Sequence, residues 1–170
     1  MKKELTQDLL KEYLHYNEDT GIFTWIKKPC KKIKVGSVAG SLNKVDMYIE
    51  IGLLGCLYKA HRLAWFYVYG EWPERDIDHK DTIKINNCIS NLRLSNKSEN
   101  AFNQGVSKRN TSGFKGVSYI EQSGKWRANA GLNGKIKFLG NFNTPEEASE
   151  AYKNFCRKHH GEFIHHSIDG

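Results

Sequence analysis

The stretch from Asp78 to Asn100, DHKDTIKINNCISNLRLSNKSEN, sets the strongest limit on what this chain can build. It packs together an Asp-His pair, two Asn-rich turns and a capped helix start, with few apolar positions. Asn and Asp bond to nearby backbone and so favour turns and caps over helix or strand interiors. Core-building sequence rarely looks like this. A dense set of side chains able to ligate metal or move protons, lying between segments that can build core, reads as a site.

The surrounding chain narrows the classes. At 170 residues it is long enough for one ordinary domain or two small ones. Its net charge of +7 and sequence pI near 9.2, from Lys and Arg spread along the chain, point to a polyanionic partner, most often nucleic acid. Cys30, Cys56, Cys88 and Cys156 are far apart and form no CxxC pair, which argues against a zinc finger and for reduced thiols in a cytoplasm. Met1 to Leu10 is charged and lacks the apolar stretch of a signal peptide, and no segment approaches the apolar length of a membrane span.

Periodicity orders the elements. Residues 4–16 are expected to open with a helix, Thr6 as N-cap and Leu9, Leu10, Tyr13 and Leu14 at helical spacing. Asn17 to Gly21 is a turn, and Ile22 to Ile26 a short strand followed by the basic loop PCKKIK. Further strands are expected at Gly36 to Leu42, Met47 to Leu54 and Cys56 to Tyr58. Ala60 to Tyr69 reads as a buried helix stopped by Gly70 and Pro73. Ile77-Asp78-His79 closes a strand, Asn91 to Leu94 forms a second, and a helix begins near Ser95 or Asn96, with Asn96 and Glu99 at capping-box spacing. Beyond the polar segment 104–112, three strands are expected at 113–120, 125–132 and 135–142. Asn133-Gly134 signals a type I′ hairpin, and a helix has Thr144 at N-cap and Pro145 at N1. Its apolar face is Ala148, Ala151, Tyr152 and Phe155.

The Asp-His, Asn-Asn, Asn-Leu-Arg and Glu-Asn steps of the central stretch resemble those of the HNH nucleases, specifically the phage-type homing endonucleases. The TG-x-F-x-W, G-x-x-A-G and HRLAW segments resemble the leader of such proteins, although Val45-Asp46-Met47 departs from the Gly-Tyr turn expected there. The resemblance implies an α+β chain: a ββα-metal nuclease core with a small N-terminal β-rich leader, over residues 1–103 with the catalytic core at about 60–103. It implies His79 as general base, Asn91 as the residue orienting it or the loop, and Asp78 and Asn100 as ligands of one divalent metal ion. Asn96 and Asn103 compete with Asn100 for the second ligand. An Asn oxygen beside a carboxylate favours Mg²⁺, or Mn²⁺, over Zn²⁺. His61 reads as a structural histidine on an apolar helix. Arg62 can touch a phosphate or pair with an acid.

After the linker 104–112, residues 113–166 resemble the Apetala (ethylene-response-factor) DNA-binding domain through KGV, KWRA, LGNF, EEASEAY and HGEF, which implies a three-stranded antiparallel sheet packed on one helix. Alternation puts Trp126, Ala128 and Ala130 on one face and Lys125, Arg127 and Asn129 on the other. In that family the face away from the helix enters the major groove, where Arg reads guanine and Asn adenine. Arg127 and Asn129 are the expected readers, with Lys115 at a family contact position. On the third strand alternation separates Lys135 and Lys137 from Ile136 and Phe138.

The expected function is metal-dependent hydrolysis of double-stranded DNA by a phage protein in the host cytoplasm, the C-terminal part choosing or holding the site. An inactive DNA-binding regulator is the alternative, set against it by the intact Asp78-His79 pair. An RNA-directed role is disfavoured because no exposed aromatic stacking motif is evident. Double-strand cleavage from one active site per chain requires a homodimer or two nicks.

Overall fold

The computed structural model describes residues 4–96, 105–107, 109–132 and 134–159. The chain divides into two compact units, one ending at Leu94 and the other starting at Ser95. In the first, α1 (Gln7–Tyr13) is capped as its sequence predicts, the Thr6 side chain accepting the Leu9 N–H at 3.2 Å. It stops three residues earlier than helical spacing suggests. Leu14–Asn17 instead forms β1, antiparallel to β2 (Ile22–Trp25), with Leu14 opposite Trp25 and Asn17 opposite Ile22. The turn between them decides this, because the Asn17 side chain accepts the N–H groups of Asp19 and Thr20, an Asx turn that closes a hairpin. Leu14 and Tyr16 then point into the core and His15 and Asn17 outward, a period of two within what resembled a helical repeat.

A second antiparallel sheet runs β3 (Ser41–Leu42), β4 (Ile49–Leu53) and β5 (Cys56–Lys59) in that order. The expected strand from Gly36 is shorter, reduced before Ser41 to a Thr24–Val38 bridge between two glycines of positive φ, Gly36 and Gly40. Met47, where the sequence departs from the resemblance, closes the β3–β4 turn at φ 63°, its N–H donating to the Asn43 carbonyl. Helix α2 (Ala60–Tyr69) ends at Gly70, φ 78°, as the sequence predicts. It is tied to α1 by the Gln7 side-chain amide donating to the Tyr67 carbonyl at 2.8 Å. Leu10, Leu14, Phe23, Ile51, Leu53 and Leu63 are buried together at its centre. Each such side chain contributes about 1.5–3 kcal/mol by leaving water.

Strand β6 (Asp76–His79) pairs with β7 (Leu92–Ser95), and Ile77 and Leu92 anchor the pair in that core. The Asn-rich loop is thus an excursion between two anchored strands. The helix expected after β7 lies outside the described residues.

In the second unit β8 (Val117–Ile120), β9 (Lys125–Leu132) and β10 (Lys135–Phe142) form an antiparallel sheet in the order β10-β9-β8, covered by α3 (Pro145–His159). The helix start is a capping box: the Glu147 N–H donates to Thr144 Oγ1, and Glu147 Oε2 accepts the Thr144 N–H. Val117, Ala128, Ala130, Ala148, Tyr152 and Cys156 are buried between sheet and helix. Gly116 lets the helix close on the sheet. A Cβ there would lie 2.3 Å from the Tyr152 ring, and its φ of 74° suits glycine.

Strand alternation on β9 is as expected, with Ala128 and Ala130 buried and Lys125 and Arg127 exposed. On β10 a bulge shifts the register between Phe138 and Gly140. Leu139, Phe142 and Trp126 consequently pack on the helix side, while Phe138 stands opposite Asn129 on the open face and is 61% exposed, with Ile136 at 81%. The open face therefore does carry an exposed aromatic ring, contrary to the expectation used against an RNA-directed role.

Candidate active site

Extended backbone in β6 sends neighbouring side chains to opposite sides. Ile77 and His79 point inward and Asp78 between them points away, as expected of adjacent residues that share a site but not a direction. His79 is 4% exposed. Its Nε2 lies 3.1 Å from Asn87 Oδ1. Because the Asn87 amide nitrogen donates to the Ile85 carbonyl, Oδ1 is the atom turned to the imidazole. Nε2 then carries the proton, and the basic lone pair belongs to Nδ1. Burial holds the His79 imidazole below its ordinary pKa, against the pull of the Asn87 bond and the carboxylates of Asp81 and Asp78. At neutral pH it is an uncharged base.

Asn87 is placed by the leader. The Tyr16 hydroxyl donates to its carbonyl at 2.6 Å, and burial raises the pKa of that phenol well above the usual range. The β1–β2 turn lies directly against the same backbone. The Ile89 N–H donates to the Glu18 carbonyl at 3.2 Å, and a Cβ on Gly21 would meet Asn87 C and Cys88 N at 2.4 Å.

Asn91 orients the loop. Its side-chain nitrogen donates to Asp81 Oδ1 at 3.0 Å and to the Asn86 carbonyl at 2.8 Å, while its Oδ1 accepts the Asp81 N–H at 3.1 Å. Asp81 also accepts from Asn86 Nδ2 at 2.6 Å and the Ile83 N–H at 2.8 Å. Burial acts to raise its pKa, but these donors outweigh it and hold the carboxyl below the usual range. Between the two roles open for Asn91, its bonds favour the loop, and Asn87 makes the contact to His79.

Asp78 faces Arg93 of β7. Nε and Nη2 of the guanidinium both donate to Oδ2, at 2.9 and 2.7 Å, with side chains 9% and 11% exposed. Sequence reasoning noted Arg93 only as part of Asn-Leu-Arg. Its signal was the position itself, one strand over from the Asp. Asn100 and Asn103 lie outside the described residues, and Asn96 is exposed. Among the described residues no group of three or more His, Cys, Asp or Glu side chains could hold a metal ion. Asp78 offers a hard oxygen donor, the type that suits Mg²⁺, which binds through one or two carboxylates plus substrate phosphate.

Two further rings wall His79. His61 of α2 approaches it edge-on at 5.3 Å between centroids, and Tyr48 lies 4.8 Å from His61 and 6.0 Å from His79. Burial, and then the neighbouring His79, Arg62 and Lys59, push the His61 pKa down to about 3, so it is neutral, as the structural reading expects. Lys59 and Lys84 flank the Tyr48 ring at 4.7 and 4.8 Å, and Lys59 is paired with Asp46. Arg62 is half-buried and donates to the Pro73 carbonyl at 3.4 Å.

In the second unit Arg127 is exposed and Asn129 half-buried on the open face, with Ser118 and Asn141 flanking Arg127 across the sheet. Lys115 precedes β8, next to Gly116, whose carbonyl accepts the Asn129 N–H at 2.8 Å. Burial lowers the Lys115 pKa, and the Cys156 thiol of α3 is its electrostatic neighbour, which places it toward the helix side.

Residues 58–102 match the HNH endonuclease family model, so Asp78, His79, Asn87, Asn91 and Arg93 all fall inside the matched segment and a nuclease is supported. Over 110 residues the chain is 34% identical to protein 3.8 of Escherichia phage T7, covering 62% of this chain and 90% of that protein. Over 87 residues it is 36% identical to the uncharacterized HNH endonuclease L560 of Acanthamoeba polyphaga mimivirus, covering 51% of this chain and 44% of that protein. No solved structure matches the chain at a significant level. By the identity and the length it shares with protein 3.8, and with an HNH endonuclease segment around His79, the chain belongs to the family of that phage T7 protein.

Proposed function

We propose that the chain is a divalent-metal-dependent endonuclease of the phage homing type, hydrolysing phosphodiester bonds of double-stranded DNA in the cytoplasm of a bacterial host. The observation that carries this is a buried, uncharged His79, fixed through Nε2 by Asn87, on the strand that also presents Asp78. His79 accepts a proton at Nδ1 from the water that attacks phosphorus, and the bond from phosphorus to the 3′ oxygen breaks. Asp78 and Asn100 would hold one Mg²⁺, with Mn²⁺ able to replace it. When bound, the ion supplies charge stabilisation at the phosphate and the leaving oxygen. Asn91 and Asp81 keep the loop that carries Asn87 in register, and Arg93 keeps the Asp78 carboxylate turned to one side.

The second unit selects or holds the site, with Arg127 and Asn129 as base readers on its open face. Arg127→Ala should weaken binding and blur sequence preference, and an unchanged affinity and site profile would count against that face. Lys115 and Arg62 have weaker support as DNA contacts, because burial and the Pro73 bond respectively account for their positions.

The Arg93–Asp78 pair also favours a second reading, an inactive DNA-binding regulator, since a carboxylate held by an arginine at 2.7 Å is what a structural residue would show. Supercoiled plasmid incubated with the protein and Mg²⁺, with chelator, and with His79→Ala separates the two. Metal-dependent nicking or linearisation lost in the variant establishes the nuclease and shows whether one strand or both are cut. Full cleavage by His79→Ala removes His79 as the base. A gel shift without cleavage under all conditions favours the regulator.

A further inference from the structure

Between β2 and β3 the chain makes an excursion, Ile26 to Val35, rich in lysine. Its neck is closed by backbone bonds: the Trp25 N–H donates to the Ser37 carbonyl at 2.9 Å and the Gly36 N–H to the Trp25 carbonyl at 2.7 Å. On one side of the neck the Ile26 N–H donates to the Tyr13 carbonyl, and on the other the Ala39 N–H donates to the Phe23 carbonyl. Inside the loop the Ser37 hydroxyl donates to the Lys34 carbonyl at 2.7 Å, and Ile33 packs against the hydrophobic core. The loop is therefore held in one shape by groups other than its lysines.

The five lysines of the loop differ in their surroundings. Lys27 is taken by Glu12 and lies over the Tyr13 ring. Lys28, Lys31, Lys32 and Lys34 are exposed, and among the described residues none of them forms an ion pair. Four like charges within seven residues repel one another, and a polyanion relieves the repulsion. Because the backbone is already ordered, binding there costs little further chain entropy. Lysine is a mobile point charge that suits phosphates along a backbone rather than a base edge.

The same strand links this loop to the candidate active site. Gly21, just before β2, lies against Asn87 and Cys88, and the loop leaves from the other end of that four-residue strand. At about 3.4 Å per residue the two ends are roughly 14 Å apart, on the order of four base pairs of duplex.

We propose that Lys28, Lys31, Lys32 and Lys34 form a clamp on the phosphate backbone of double-stranded DNA, a few base pairs from the phosphate presented to His79. This rests on the endonuclease reading above and adds a docking surface to it. The test uses the full chain with Lys28, Lys31, Lys32 and Lys34 all changed to Gln, its folding checked by circular dichroism, and a labelled duplex of about 30 base pairs. Each phosphate that the variant no longer neutralises lowers the slope of log affinity against log salt by about 0.9, so the slope should fall by up to about 3.6. Affinity near 0.1 M salt should fall more than tenfold, while plasmid cleavage at saturating DNA stays near the wild-type rate. A variant with the wild-type slope overturns the clamp and leaves the nuclease reading standing. Weaker binding of polyglutamate at an unchanged DNA slope overturns it in favour of an acidic protein partner. Wild-type protein that shows no salt-dependent DNA binding overturns both.

Discussion

Tyr16 donates its hydroxyl hydrogen to the backbone carbonyl of Asn87 across 2.6 Å, and the side chain of that same Asn87 holds His79. The residue that fixes the candidate base is thus itself fixed from the β1–β2 hairpin, which makes the leader part of the site. Tyr16→Phe keeps the ring packed on Phe23 and Tyr67 but leaves a buried carbonyl unpaired. The expected loss is about 1–3 kcal/mol, read from urea unfolding, with faster amide exchange at Cys88 and Ile89. Unchanged exchange at those two amides would show that the hydroxyl does not hold the loop.

Arg93 and Asp78 form a nearly solvent-free pair, so removing one partner takes from the other a buried charged hydrogen bond. Arg93→Ala should destabilise the first unit by about 3–5 kcal/mol, while the joint change Arg93→Met with Asp78→Leu should cost much less. Additive effects in that double-mutant cycle would mean the two side chains are not coupled.

Asn87 and Asn91 separate by what they touch. Asn87→Ala removes the acceptor at Nε2 of His79 and should lower the turnover rate about a hundredfold, the lower end of what a positioned general base supplies. Its effect on stability should stay near 1 kcal/mol, on the order of one hydrogen bond. Asn91→Ala opens the bonds to Asp81 and Asn86 and should reduce both turnover and thermal stability. If Asn91→Ala alone slowed turnover, with no change in melting temperature, the division of roles drawn from the geometry would be reversed.

Which of these relationships could be seen in the sequence follows from how far apart the partners lie. The Thr6 and Thr144 caps, the Gly70 stop and the divergence of Asp78 from His79 are local, set by residues a few positions apart, and all are present. The segment Leu14 to Tyr16 is misleading because its apolar spacing also suits a helix, and only the Asn17 turn chooses the strand. The bulge at Leu139 depends on which residues α3 can accept beneath the sheet, so alternation groups Ile136 with Phe138 as found but, carried past the bulge, puts Phe142 on their face instead of under the helix. Asn87 reads as a turn former, and its bond to Tyr16 joins positions 71 apart. Tyr48 and His61 come to His79 from a hairpin turn and a helix, a meeting no spacing rule describes.

His61 sets a pH limit on the fold. Its folded-state pKa is about 3, below the 6.5 ordinary for a histidine, because burial excludes the charged form. Above 6.5 neither the folded nor the unfolded chain protonates it, and its contribution to the pH dependence is flat. As pH falls from 6.5 toward 3 the unfolded chain takes a proton that the folded chain refuses, so stability drops by about 1.4 kcal/mol per pH unit. Below about 3 both states are protonated and the loss is complete. His61→Phe keeps a ring against Tyr48 and His79 but removes the titration. Guanidinium unfolding from about pH 7 to about pH 4 should give a wild-type curve that falls more steeply than that of the variant by about this slope. His79, also shifted downward, leaves a smaller decline in both proteins. Parallel curves would mean that His61 is protonated in the folded protein or reaches water, and the three-ring wall around His79 would then be more open than the distances describe.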